Sequence, residues 1–297
     1  MSRRVLVLGA TGMLGHTLLR ELQRSPDLDV CGTARSFTSR AGWFPDELAA
    51  RITTGVEALD VPRIRRLLRE QRPDAVVNCI GVIKQRPGVE DPVRTIAINA
   101  LLPHQLAEAC AEIDARLIQV STDCVFSGDR GGYTETDLPD PTDLYGRSKL
   151  LGETTSQGAL TLRTSIIGHE LGTARSLVDW FLSQTTVRGY TKAIYSGVTT
   201  VEFARLLRTV ILPDETLTGL FHVAATPIAK YDLLRLVAAT YGWTGDIAPF
   251  DGFVCDRSLS AEALARTTGY RPPAWPDMIT HLHAARSRWA AGWPSNR

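Results

Sequence analysis

The feature that most constrains this chain is a glycine-rich segment near its N-terminus. Residues 4–8 (RVLVL) have the pattern of a buried strand, residues 9–15 (GATGMLG) follow, and residues 16–24 have the pattern of a helix. Glycines at such a turn permit a tight bend and bring the backbone close to a pyrophosphate, which the free amide groups of the helix then face. The segment predicts a dinucleotide site. The expected contacts are Gly9, Thr11, Gly12, Met13, Leu14 and Gly15.

Strands and helices alternate through the rest of the first half of the chain. Further strands are predicted at 30–33, 75–80 and 116–121, and further helices at 62–70 and 101–113. This alternation is typical of βαβ units and predicts an α/β fold, a doubly wound parallel sheet of the Rossmann type. After residue 163 aromatic residues concentrate between short loops. We expect a dinucleotide-binding domain over 1–167, completed by part of 189–224, and a smaller C-terminal substrate-binding lobe made of 168–188 and 225–297.

Composition excludes several other classes of protein. The 33 Lys and Arg residues balance 32 Asp and Glu residues, which argues against a nucleic-acid partner bound through a broad basic surface. No apolar stretch approaches the roughly 18 residues that a membrane span needs, and the N-terminal segment does not resemble a signal peptide. The five cysteines are scattered without a CxxC pair, so neither disulfides nor a metal site is expected. We expect a cytoplasmic protein, with a homodimer as one expected assembly.

The residues after the second strand bear on the choice of cofactor. NAD-binding proteins carry an acid there to hold the ribose hydroxyls, whereas Arg35 and Ser36, a cation and a hydroxyl, suit a 2′-phosphate. NADPH is therefore favoured as the cofactor, with NADH as the other possibility. Asp60 fits two roles equally, a contact to the adenine or the N-cap of the next helix. The strand expected to run beside the cofactor ends in Cys79, Ile80 and Gly81.

Tyr145 and Lys149 are four residues apart in a helical pattern and therefore share one helix face. A phenol has a pKa near 10, and an ammonium group nearby favours the phenolate, which makes Tyr145 a general acid for a carbonyl oxygen that receives hydride. Thr122 ends an apolar strand, where ligands of open α/β sheets bind. Its hydroxyl can donate to the developing alkoxide, an interaction worth about 3 kcal/mol. These three residues are the predicted catalytic group.

Together these motifs resemble the extended short-chain dehydrogenases/reductases, and among them most closely the dTDP-4-dehydrorhamnose reductase group. The resemblance rests on residues 9–15, 78–81, 121–128, 133–153 and 162–168. It implies Tyr145 and Lys149 as the catalytic couple, Thr122 as the carbonyl-binding hydroxyl, and NADPH or NADH as the hydride donor. Many members have Tyr where this chain has Cys124. The acid pair of the related dehydratases is incomplete after Asp123, so dehydration is not expected.

The resulting hypothesis is an NADPH-dependent oxidoreductase that reduces the 4-keto group of a nucleotide-activated deoxysugar. One alternative is a nucleotide-sugar epimerase that retains its NAD. The other is a non-catalytic NADP-binding regulatory subunit, although retention of the Thr, Tyr and Lys favours catalysis. The expected substrate contacts are Lys84, Asp123, Cys124, Arg175, Arg188, Tyr190 and Lys192.

Overall fold

A computed structural model of the protein describes residues 2–37, 42–83, 91–156 and 158–290. The strands are β1 (Arg3–Leu8), β2 (Leu28–Thr33), β3 (Ile52–Thr53), β4 (Ala75–Asn78), β5 (Arg116–Thr122), β6 (Leu160–Thr164), β7 (Ile166–Ile167), β8 (Thr186–Tyr190), β9 (Ala193–Tyr195), β10 (Val198–Thr199), β11 (Gly219–His222), β12 (Ile228–Ala229), β13 (Asp246–Phe250) and β14 (Cys255–Asp256). The helices are α1 (Met13–Leu22), α2 (Asp46–Ala49), α3 (Val61–Gln71), α4 (Pro92–Ile96), α5 (Leu102–Ala111), α6 (Leu144–Leu151), α7 (Leu177–Leu182), α8 (Thr200–Leu206), α9 (Lys230–Tyr241), α10 (Glu262–Thr268) and α11 (Trp275–Ala290). π-helical stretches, Ala97–Leu101 and Leu207–Ile211, follow α4 and α8.

The main sheet is parallel throughout and is doubly wound, as the sequence predicts. Among the described residues it has seven strands in the order β11-β6-β5-β4-β1-β2-β3. The chain first builds outward from β1 to β3 and then returns to add β4 and the strands beyond it. The order therefore reverses between β1 and β4, which is where open sheets of this kind bind ligands. Smaller sheets (β10-β7, β12-β9-β14 and β13-β8) form from the later strands.

Alternate residues of β1 pack into two different cores. Val5 and Val7 belong to a cluster that includes side chains of α1, α8 and α11, whereas Leu6 and Leu8 face the cluster formed with α3 and α5. All four side chains are at most 1% exposed. A strand buried on both faces has an uninterrupted apolar sequence, which is why the run RVLVL predicts a buried strand. None of the described helices is long and apolar enough to cross a membrane.

Glycines let α1 start directly against the end of β1. Gly9 has a φ of +82°, a left-handed conformation that favours glycine, and Gly12 is the N-cap of α1. A Cβ atom at Gly15 would overlap the carbonyl oxygen of Gly9. The third glycine of the motif is therefore required because the helix backbone lies directly on the turn.

We predict that Gly15→Ala lowers the free energy of unfolding by about 1–3 kcal/mol, because the helix must move away from the Gly9 carbonyl. Urea denaturation measures the change. Gly81→Ala is the matched control, since a Cβ there would lie 3.5 Å from the Asn99 Oδ1 atom, an ordinary contact. The control should change stability by less than about 1 kcal/mol. Equal stability of the two variants would contradict the packing argument.

Candidate functional site

A cleft of about 680 Å³ opens where the strand order of the main sheet reverses. Most of the predicted cofactor residues line it: Gly9, Thr11, Gly12, Met13, Arg35, Ser36, Cys79, Ile80 and Gly81. The opposite wall comes from the segment after β7, which the sequence analysis assigned to the second lobe. That wall contributes Glu170, Leu171, Thr173 and Arg175. The structure therefore joins the glycine loop, the end of β2 and the end of β4 in one cleft.

Three predicted cofactor residues do not line this cleft. Leu14 is buried in the core, and Gly15 packs on the turn beneath the glycine loop. Asp60 is exposed and is the N-cap of α3, where its Oδ1 atom accepts a hydrogen bond of 3.0 Å from the backbone amide of Arg63. Of the two roles considered for Asp60, the structure shows the helix cap.

The Arg35 side chain stands at the rim of the cleft. The side chain is 64% exposed, and its Nε atom lies 3.9 Å from the Oε1 atom of Glu57, which also lines the cleft. An exposed pair at this distance contributes at most about 1 kcal/mol. The guanidinium is therefore available to a phosphate, while Glu57 is a cleft residue that the sequence analysis missed.

The predicted catalytic hydroxyls meet at the end of β5. Thr122 ends the strand and caps a single 3₁₀ turn, Asp123–Val125, by accepting a hydrogen bond of 3.1 Å from the Cys124 amide. The hydroxyls of Thr122 and Tyr145 share a hydrogen bond. Burial raises the pKa of Tyr145 above its ordinary value, and the hydrogen bond from Thr122 opposes this shift. The pKa of Tyr145 thus moves upward, opposite to the effect that the sequence analysis expects from Lys149, and the phenol is held in its protonated form.

Helix α6 is placed against this turn by its own local sequence. The side chain of Asp143 caps the helix by accepting a hydrogen bond of 2.8 Å from the amide of Gly146. A Cβ atom at Gly146 would overlap the carbonyl oxygen of Cys124. Glycine at this position lets the helix approach closely enough for Tyr145 to reach Thr122.

Lys149 lies on the same helix, one turn after Tyr145. Its Nζ atom donates a hydrogen bond of 2.6 Å to the carbonyl oxygen of Val120 on β5. Burial lowers the pKa of Lys149 to about 8, and the nearby Glu153 carboxylate acts in the opposite direction. Lys149 also interacts electrostatically with Cys79, which lines the cleft. The three predicted catalytic residues thus lie next to the cleft at Cys79, but none of them is among the residues that line it.

A buried ion pair that the sequence analysis missed supports this group. The two carboxylate oxygens of Glu153 accept hydrogen bonds of 2.8 Å from the Nε and Nη2 atoms of Arg163 on β6, and Oε1 also accepts one of 2.7 Å from the Ser121 hydroxyl. The two side chains of the pair are 4% and 10% exposed. The position of Glu153, four residues after Lys149 and just past the end of α6, is the sequence signal that could have indicated it.

The predicted substrate residues fall into separate groups. Asp123 and Cys124 form the 3₁₀ turn beside Thr122, and burial raises the pKa of Asp123. Arg175 lines the cleft. Lys84 lies outside the described residues.

The remaining predicted substrate residues are at the end of β8 and do not line the cleft. Arg188 lies over the Phe250 ring at 4.8 Å, Tyr190 packs on the rings of Phe250 and Phe253, and the Nζ atom of Lys192 is 3.7 Å from Asp251. The described residues contain no group of three or more His, Cys, Asp or Glu side chains that could hold a metal ion.

A glycine loop between the first strand and helix of a doubly wound sheet, with Thr, Tyr and Lys beside the same cleft, defines an extended short-chain dehydrogenase/reductase. The family model described as RmlD substrate binding domain matches residues 3–282. The chain belongs to this family, which confirms the resemblance to the dTDP-4-dehydrorhamnose reductases. It is an RmlD-like member of the nucleotide-sugar reductase family.

Curated relatives of the chain include a subunit of one enzyme and a probable reductase. The chain is 34% identical over 177 residues to methionine adenosyltransferase 2 subunit beta of Mus musculus, an alignment that covers 57% of this chain and 48% of that protein. The chain thus spans about half the length of that curated relative. It is 33% identical over 229 residues to a probable low-salt glycan biosynthesis reductase of Haloferax volcanii, covering 74% of this chain and 73% of the relative.

Solved structures show the same fold. The crystal structure of a dTDP-4-dehydrorhamnose reductase from Bacillus anthracis in complex with NADP has a TM-score of 0.78. The two sequences are 20% identical, and the superposition covers 96% of this chain and 100% of that one. This similarity establishes the architecture on which the cleft is built.

We predict that Glu153→Gln lowers the free energy of unfolding by about 3–5 kcal/mol, because it leaves the buried Arg163 guanidinium without its counter-charge. Chemical denaturation measures the loss. Glu262→Gln is the matched control, because Glu262 pairs with Arg271 through side chains that are 53% and 67% exposed. Removing such a surface pair should cost less than about 1 kcal/mol. Equally small losses of unfolding free energy in the two variants would contradict the expected effect of burial on the Glu153 pair.

Proposed function

We propose that this protein reduces the 4-keto group of a nucleotide-activated deoxysugar with NADPH as the hydride donor. The observation that carries the proposal is the hydrogen-bonded pair of hydroxyls, Thr122 and Tyr145, beside Lys149 at one end of the cleft. Two hydroxyls on adjacent elements can both contact one carbonyl oxygen of a substrate. Such a pair is the arrangement that protonation of a developing alkoxide requires.

The residues of the cleft fit the proposed cofactor. Gly9 and Gly12 leave the start of α1 free of side chains, so its amide groups can hold the pyrophosphate. Arg35 and Ser36 at the rim would hold the 2′-phosphate. When bound, NADPH would supply the hydride that the keto carbon receives.

Tyr145 is the proposed proton donor to the keto oxygen. Its buried phenol keeps its proton until the oxygen gains negative charge, because the pKa is raised by burial. Thr122 would donate a hydrogen bond to the same oxygen. Lys149, with a pKa of about 8, is largely cationic at neutral pH and would stabilise the phenolate left after proton transfer.

A second candidate function is a non-catalytic NADP-binding subunit. The 34% identity to the beta subunit of methionine adenosyltransferase 2 favours it. Thr122, Tyr145 and Lys149 together favour catalysis. Ketone reduction by the purified protein alone would separate the two functions.

We predict that Tyr145→Phe lowers the turnover of dTDP-4-dehydrorhamnose by at least about a hundredfold, because general acid catalysis contributes about 10²–10⁴-fold. Oxidation of NADPH, followed by absorbance, measures turnover, and fluorescence titration should show unchanged NADPH affinity. Tyr231→Phe removes a phenolic hydroxyl on α9, where the ring packs beside Gly189 of β8 and does not line the cleft, and should leave turnover unchanged. Turnover of Tyr145→Phe within tenfold of the parent would refute the role of the phenol.

We predict that Arg35→Ala weakens NADPH binding about ten- to a hundredfold and leaves NADH binding nearly unchanged, because a charge-assisted contact to the 2′-phosphate is lost. Fluorescence titration with both cofactors measures the difference. Arg66→Ala, which removes another exposed arginine with a 63% exposed side chain on α3, should affect neither cofactor. Equal losses for NADPH and NADH in Arg35→Ala would reject the phosphate contact.

A further inference from the structure

The side chain of Arg257 crosses from the C-terminal part of the chain onto the turn that carries the proposed catalytic hydroxyls. It follows directly after β14. Its Nε atom donates a hydrogen bond of 2.8 Å to the carbonyl oxygen of Phe126, and its Nη1 atom lies 3.9 Å from the Sγ atom of Cys124. The guanidinium thus lies two residues away from Thr122 along the turn.

The backbone around Arg257 is fixed on both sides. The amide of Asp256 donates a hydrogen bond of 2.7 Å to the carbonyl oxygen of Gly128, and Tyr133 exchanges backbone hydrogen bonds with Ser258 and Ser260 at 2.9 and 2.7 Å. These bonds fasten the segment after β14 to the loop that follows the 3₁₀ turn. Arg257 is therefore held in place before any ligand binds.

Gly128 makes room for the Arg257 side chain. It has a φ of +94°, and a Cβ atom there would lie 2.9 Å from the Cγ atom of Arg257 and 2.6 Å from the Cys255 sulfur. Glycine thus lets the aliphatic part of the arginine rest on the backbone of the loop. Its charged end is thereby directed to the turn at Cys124.

The guanidinium is only half-buried, and within the described residues its hydrogen bonds go to a carbonyl oxygen and a thiol rather than to a carboxylate. Lys230, at the start of α9, is a second cation that acts electrostatically on the same Asp123 as Arg257 does. Two cations therefore approach this turn from the C-terminal part of the chain. The carboxylates of Asp123 and Asp143 also act on Arg257, so the turn carries charges of both signs.

The small side chain of Cys124 leaves the turn accessible to the guanidinium. The amide of Cys124 donates a hydrogen bond to the Thr122 hydroxyl, which in turn bonds to Tyr145, so the arginine lies close to where the substrate would react. A guanidinium has five donors in a planar fork that matches the two oxygens of a phosphate or carboxylate. Two of its nitrogens bond to Phe126 and Cys124, and no hydrogen bond within the described residues engages the third.

We propose that Arg257 is a substrate-binding residue that donates hydrogen bonds to an oxyanion of the nucleotide sugar. That oxyanion belongs to the diphosphate or to a carboxylate carried by the sugar. This inference rests on the proposed function and adds to it a specificity contact from the C-terminal part of the chain, next to Cys124.

Calorimetric titration of the protein saturated with NADP⁺ tests the inference without turnover. The probes are dTDP, dTDP-glucose, UDP-glucose and UDP-glucuronate, of which the last two differ by a carboxylate. The variants are Arg257→Gln, Arg257→Lys and the matched control Arg266→Gln, an exposed arginine on α10. Affinity for NADP⁺ itself shows whether each variant keeps its fold.

Arg257→Gln should weaken binding about ten- to a hundredfold, Arg257→Lys less, and Arg266→Gln by less than twofold. If Arg257→Gln loses affinity for every probe that the wild type binds, the oxyanion is the diphosphate. If it loses affinity for UDP-glucuronate only, the oxyanion is the carboxylate. If both Arg257 variants bind the probes with wild-type affinity, this inference is overturned and the proposed function is not affected. If the wild type binds none of the probes, the proposed function and this inference both fail.

Discussion

The carboxylate of Glu153 receives two hydrogen bonds from Arg163 and one from Ser121, and in this way it joins the end of α6 to β5 and β6. Helix α6 carries Tyr145 and Lys149, while β5 ends in Thr122. The position of the phenol relative to the threonine hydroxyl therefore depends on this buried junction. Because a buried charge without its partner is costly, the junction is either complete or absent, which favours a single arrangement of the site.

Two close backbone contacts, which only glycine permits, also position the residues of the site. Gly15 lets α1 lie on the carbonyl of Gly9, and Gly146 lets α6 lie on the carbonyl of Cys124. In both places a helix starts close to the carboxyl end of a strand. The first contact shapes the cleft proposed to hold NADPH, and the second brings Tyr145 to the proposed substrate. The same kind of contact, a helix glycine packed on a backbone carbonyl, thus shapes both ends of the site.

The parts of the site that could be predicted from the sequence are local. The glycine loop, the strand it follows and the Tyr145–Lys149 spacing each lie within one strand, turn or helix, so their geometry follows from neighbouring residues. Glu153 was missed because its partner Arg163 belongs to the next strand, and Arg257 because its partners are more than a hundred residues earlier in the chain. Arg188, Tyr190 and Lys192 are grouped with the substrate because they are close in sequence. In the structure they form an aromatic and charged cluster at β8, and their role in substrate binding stays a prediction.

By itself the sequence determined the α/β class, the turn that opens α1 and the helix face that carries Tyr145 and Lys149. Periodicity, glycine positions and helical spacing are enough for these, because each depends on contacts within a few residues. Only the tertiary structure decided that Asp60 caps a helix, that the segment after β7 closes the cleft, and that Arg257 reaches the turn at Cys124. Those outcomes depend on which distant segments pack together, and packing is decided by the shape of the whole core rather than by any one segment.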